Sequence, residues 1–110
     1  MNLTVNVVEE NEKSILNVVG EIDAYTAPKL KETLLPLTRA EGKIIEVNLE
    51  NVNYMDSTGL GVFISALKST KESNSKLMLV NLQERVLRIF EITGLDEIMD
   101  IKAAIRGGNE

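Results

Sequence analysis

Asp56-Ser57-Thr58-Gly59-Leu60-Gly61-Val62-Phe63-Ile64 begins with residues that cap helices and runs directly into an apolar series. Asp, Ser and Thr suit a helix start because a side-chain oxygen can accept one of the amide hydrogens that the first turn leaves unpaired. Leu60, Phe63, Ile64 and Leu67 then recur at the spacing of one helical face, so a helix is predicted from about Ser57. Before it, Lys43 to Leu49 reads as a strand with Ile45, Val47 and Leu49 on one face, closed by a polar loop, Glu50 to Asn53. After it, Lys76 to Val80 contains the unbroken run Leu77-Met78-Leu79-Val80, predicted as a central strand covered on both faces. Strand, capped helix and strand in succession form the unit of a parallel sheet.

The flanking segments extend that unit in both directions. Leu3 to Val8 alternates apolar and polar, Glu9 to Lys13 is polar, and Ser14 to Val19 is again β-rich, which predicts a hairpin. Gly20 is predicted to end its second strand. Tyr25-Thr26-Ala27-Pro28 opens a helix, with Thr26 as the candidate cap and Pro28 tolerated in the first turn; Leu30, Leu34 and Leu37 share one side. Pro36 lacks the amide hydrogen of a helix interior and is predicted to kink the last turn or end it. Gln83 to Ile92 forms a third helix with Val86, Ile89 and Phe90 inward, stopped at Thr93-Gly94, and Met99 to Ala103 a last short strand. The predicted class is α/β, with one mixed, mostly parallel sheet of about four to five strands and about three to four packed helices. A single domain is expected over residues 1–110, with 106–110 as a flexible tail.

Composition removes several functions. The 110 residues are 44% hydrophobic, enough for one core, but only 4% aromatic, so a base-stacking surface is not expected. A net charge of -5 also opposes direct binding to nucleic acid. Neither Cys nor His is present, which removes thiolate chemistry, the commonest general base and the commonest transition-metal ligands. The N-terminus lacks the pattern of a signal peptide, and no apolar run approaches the ~20 residues of a membrane span, so a cytoplasmic protein with no membrane attachment is expected.

Asp56, Ser57, Thr58 and Gly59 sit where a strand hands over to a helix, the place where open α/β sheets gather functional groups. An exposed Ser there can receive a phosphoryl group; ordinary capping explains the same residues. Gly59 and Gly61 permit either close approach by a partner or tight packing of helix on sheet. Gly-Leu-Gly lacks the third glycine of a dinucleotide fingerprint and the Lys of a phosphate-binding loop. Glu21 and Asp23 fall near the end of the second strand and stand beside Ser57 only if the two strands are neighbours. They are candidate partner contacts or members of a solvated turn, and Asp23 with Asp56 is a thin candidate for magnesium. A nucleophilic Ser57 needs a base in reach and the chain offers no His, so the protein is not expected to be an enzyme and no cofactor is expected.

Three segments resemble the STAS domain family, in the same order along the chain. Val19-Gly20-Glu21-Ile22-Asp23-Ala24-Tyr25-Thr26-Ala27-Pro28 is similar to its second strand and helix entry, Val52 to Val62 to its phosphoacceptor loop, and Phe90-Glu91-Ile92-Thr93-Gly94-Leu95 to its third helix end. The resemblance implies a STAS fold, and within the family the sequence is most similar to stand-alone anti-anti-sigma factors of the general stress response. It implies partner switching: the unphosphorylated chain binds a kinase-type anti-sigma factor, a serine kinase, and frees a sigma factor. Phosphorylation reverses this, and a PP2C-type phosphatase restores the active form. Carried over by position, Ser57 is the phosphoacceptor. Asp23, Asp56, Thr58, Gly59, Leu60 and Gly61 contact the partner or shape the loop, and Tyr25 and Met55 are further contacts. Thr58 stands where some relatives carry a second Ser. Many members end in a further amphipathic helix, whereas here a Gly-rich tail follows Ile105. The resemblance also admits another role, as a STAS scaffold or interaction subunit of a larger sensory or lipid-transport complex; the short chain and its loop favour partner switching.

Overall fold

In a computed structural model describing residues 2–104, the alternating N-terminal segments form the predicted hairpin. Strand β1 (Leu3–Glu9) pairs antiparallel with β2 (Lys13–Ile22), Val5 opposite Val18 and Val7 opposite Leu16. Helix α1 (Ala27–Thr38) follows, then β3 (Ile44–Met55), α2 (Ser57–Ser73), β4 (Lys76–Leu82), α3 (Glu84–Ile92), a short 3-10 turn at Leu95–Glu97, and β5 (Asp100–Ala103). The five strands lie in the order β1-β2-β3-β4-β5, parallel after the first pair, which is the mixed, mostly parallel sheet predicted.

Each crossover from β2 onward moves one strand in the same direction. Right-handed connections taken repeatedly that way carry every helix to the same face of the sheet. The burial pattern agrees. Leu16 and Val18, Ile45, Val47 and Leu49, and Leu77 and Leu79 are buried beneath the helices. Leu30 and Leu34 of α1 and Val86 and Phe90 of α3 complete that core, where the rings of Phe63 and Phe90 lie 6.0 Å apart at 54°. The opposite face holds no fully buried residue among Ile15, Asn17, Glu46, Asn48, Met78 and Val80. The expectation that β4 is covered on both faces is therefore corrected: Met78 and Val80 point away from the helices.

Polar groups on that open face pair with one another across the strands. Asn48 donates to Asn17 Oδ1 at 3.1 Å and accepts from Asn81 Nδ2 at 3.2 Å and from the Glu50 amide at 3.1 Å. Asn81 itself adopts the left-handed conformation, φ 61°, which asparagine tolerates better than most residues.

Three local expectations also change. Gly20 does not end β2, which continues to Ile22. Its φ of 124° sits between two irregularities in the β2–β3 register, and a side chain there would strike the Asn2 carbonyl oxygen, so glycine permits both the bulge and the approach of the N-terminal segment. Glu50 to Asn53 are strand rather than loop, because the longer β2 gives Asn51 and Val52 partners in Val19 and Gly20. As expected for its place, Pro36 lies in the last turn of α1, which ends at Thr38. In α2 the buried set is Gly59, Leu60, Val62, Phe63, Ala66 and Thr70, while Ile64 and Leu67 are only partly covered. The predicted tail at 106–110 lies outside the described residues, and no helix among the described residues is long and apolar enough to cross a membrane.

Candidate functional site

β2 and β3 are neighbours, and their carboxyl ends bring together segments far apart in the chain. Glu21 pairs with Tyr54 and Ile22 with Met55, and the Asp56 amide donates to the Ile22 carbonyl at 3.3 Å. Asp23 and Asp56 thus flank the entry to α2, at the strand ends where open α/β sheets place their sites.

Asp56 leaves β3 in extended conformation and its Oδ1 accepts the Thr58 amide at 2.9 Å, while its carbonyl accepts the amides of Gly59 and Leu60. The cap is therefore Asp56, which leaves the two hydroxyls after it free. Ser57 and Thr58 are both exposed, and neither hydroxyl is hydrogen-bonded within the described residues. Ser57 occupies the first position of α2, where the positive end of the helix dipole favours added negative charge.

Asp23 is used internally. It is 8% exposed, and its Oδ1 accepts the Tyr25 amide at 2.9 Å and the Thr26 amide at 3.0 Å. Thr26 holds the same turn from the other side: its hydroxyl donates to the Glu21 carbonyl at 2.7 Å and accepts the Asp23 amide at 2.9 Å. Thr26 is at the cap position of α1 without making a side-chain cap bond, so its hydroxyl ties the turn to β2 instead. This turn projects Tyr25 into solvent, 88% exposed. With Asp23 and Asp56 both accepting local amides, no group of three or more potential ligands for a metal gathers among the described residues.

The remaining candidates divide by depth. Met55 and Leu60 are buried and form the floor of the site. Gly59 is buried too, and a Cβ there would lie 2.5 Å from Met55 Cγ and 2.8 Å from Ile22 Cγ2, so its small size serves helix-on-strand packing. Gly61 is exposed, with nothing within 4 Å of an added Cβ. It opens onto a mostly apolar groove of about 410 Å³ in which Ala24, Ala27, Pro28 and Lys31 face Thr58, Gly61 and Val62. Of those, Ala24, Ala27, Pro28, Lys31 and Val62 were not among the candidate contacts named from the sequence, because membership in the groove depends on α1 lying against α2. A larger cleft of about 640 Å³ lies between α3 and the end of β5, lined by Arg85 and Arg88 among others, and includes none of the candidate residues.

A family model described as STAS domain matches residues 4–107. The chain is 49% identical to the anti-sigma-B factor antagonist of Bacillus subtilis strain 168, covering 98% of both sequences. It is 48% identical to the protein of the same name from Listeria monocytogenes, over 93% of this chain and 90% of that one. Among solved structures, a putative anti-sigma factor antagonist from Thermotoga maritima superposes with a TM-score of 0.82 at 29% identity, over 92% of this chain and 87% of that one.

Proposed function

This chain belongs to the STAS domain family, and from that premise we propose that it is an anti-sigma factor antagonist that works by partner switching through Ser57. The observation that carries this reading is the Ser57 hydroxyl: exposed, unbonded, one residue past the capping Asp56, and beside an accessible groove. The antagonist relatives, matched nearly end to end, support it, and their name describes a regulator of a protein partner.

In the unphosphorylated state the chain docks on a kinase-type anti-sigma factor, which lets go of its sigma factor. The kinase passes the γ-phosphoryl group of ATP to Ser57 Oγ: a new P–O bond forms, the bond to ADP breaks, and the hydroxyl proton leaves to a base. That base belongs to the kinase, since this chain has no His and Asp56 is engaged with the Thr58 amide. The ester adds a charge of about -1.5 to -2 beside the Asp56 carboxylate, on a surface that docking must dry. Like-charge repulsion and lost hydration then weaken the complex without unfolding the chain. Hydrolysis of the ester by a PP2C-type phosphatase returns the binding form.

Incubation with the anti-sigma kinase and ATP, read by intact mass and pull-down, tests this directly. Wild type is expected to gain one phosphoryl group and release the kinase; Ser57→Ala is expected to stay unmodified and remain bound. Phosphate mapped to Thr58, or a Ser57→Asp chain that binds as tightly as wild type, would contradict the assignment.

A further inference from the structure

The two edges of the sheet are protected unequally. β5, the outer strand on one side, spans only Asp100–Ala103 and carries the charges of Asp100 and Lys102. β1, on the other side, runs from Leu3 to Glu9 with neither Pro nor Lys, and its register with β2 has no bulge. Val7 is 36% and Val8 40% exposed, so this strand shows valine on both faces. A straight edge of that composition is a template for another strand, and proteins that stay single blunt such edges with lysine, proline or a bulge.

Main-chain groups alternate in direction along β1. The Asn2 carbonyl accepts the Glu21 amide and the Glu10 amide donates to the Lys13 carbonyl, so the even positions face β2. Leu3, Val5, Val7 and Glu9 therefore turn their amides and carbonyls outward. The Leu3 carbonyl is taken by Lys29 Nζ at 3.0 Å, whereas among the described residues no strand or loop bonds to Val5, Val7 or Glu9 from that side.

We propose that this free stretch of β1 pairs antiparallel with β1 of a second copy, with Val7 on the two-fold axis. In that register Val5 lies opposite Glu9 and Val7 opposite itself, so about six main-chain hydrogen bonds form and Leu3 is left out. Registers centred nearer the amino end need the Leu3 carbonyl, which Lys29 holds; those centred nearer Glu9 run Val5 past the end of the strand. Val7 packs on its counterpart, and the Lys29 amine comes beside the Glu10 carboxylate of the second copy, so the charges there are complementary. The two sheets become one, with all helices on the same face, and the pairing uses none of the candidate residues around Ser57. The contact is small, so the dimer is weak and depends on concentration.

Sedimentation velocity of the full chain at rising concentration tests this, and single cysteines report the register because the chain has no native Cys. Wild type is expected to move reversibly from monomer towards dimer below about 1 mM. Val7→Lys is expected to dimerise at least about tenfold more weakly with an unchanged melting temperature. Val7→Cys is expected to cross-link to itself under air oxidation, its Cα about 5.5 Å from its counterpart, and Val5→Cys to do so at least about tenfold more slowly. A wild type that stays monomeric throughout that range overturns the proposal, as does a Val7→Lys chain that dimerises like wild type or equal cross-linking at the two positions. Should Val7→Lys melt early, the two cysteine variants decide alone.

Discussion

Gly59 and Gly61 sit two positions apart at the start of α2 under opposite constraints. Gly59 faces Met55 and Ile22 at distances no Cβ can share, so Gly59→Ala is expected to lower stability by about 1–2 kcal/mol, overpacking outweighing the better helix propensity. Gly61 meets nothing, and Gly61→Ala is expected to raise stability by up to about 1 kcal/mol, read as the midpoint of a urea titration. A stabilising methyl that the chain forgoes points to the groove it would narrow. The same Gly61→Ala protein is therefore expected to bind the anti-sigma factor more weakly by calorimetry, and unchanged affinity would mean that the groove is not used. The local sequence marked both glycines as candidates, yet it could not separate them, since one of the two side chains that crowd Gly59 belongs to another strand. Asp23 was similar: its acidity was visible as a candidate contact, while its engagement with two amides appears only once the turn is folded.

Elements with both a start signal and a clean apolar period were legible in advance. α2 begins at Ser57 as its capping residues require, and α3 ends at Ile92, just before Thr93 and Gly94. The second halves of β2 and β3 were not. After Leu49 the buried residues of β3 are Val52 and Met55, three apart, because bulges in the β2–β3 ladder break the two-residue alternation by which strands are recognised. Those unreadable halves carry Glu21, Tyr54 and Met55 to the site. The asparagine ladder was equally hidden, being built from residues on three strands. Asn48 serves Asn17, Asn81 and the Glu50 amide at once, so Asn48→Ala is expected to cost about 1–3 kcal/mol, seen as a lower urea midpoint.

At the scale of the molecule, the surface ion pairs tie early strands to later ones. Lys43 reaches Glu9 at 3.1 Å and Lys13 reaches Glu46 at 3.1 Å. The Ser14 hydroxyl first, and Lys43 second, hold the Glu9 carboxyl below the usual glutamate range. A depressed native pKa stabilises the fold above the unfolded glutamate value, and the contribution disappears as pH falls through the native one. Urea midpoints of wild type and Glu9→Gln are thus expected to differ slightly at neutral pH and to converge in acid. Which side of the sheet each new strand joins was the part of the architecture least visible in the chain: alternation and caps specify elements and right-handed crossovers, but not their direction. Only the resulting adjacency of β2 and β3 sets Asp23 beside Asp56. That sequential order, β1 through β5, is also the order in which a ribosome delivers the strands. Every newcomer finds its pairing edge already waiting and none must be threaded between two others, so the sheet can be laid down during translation, amino end first.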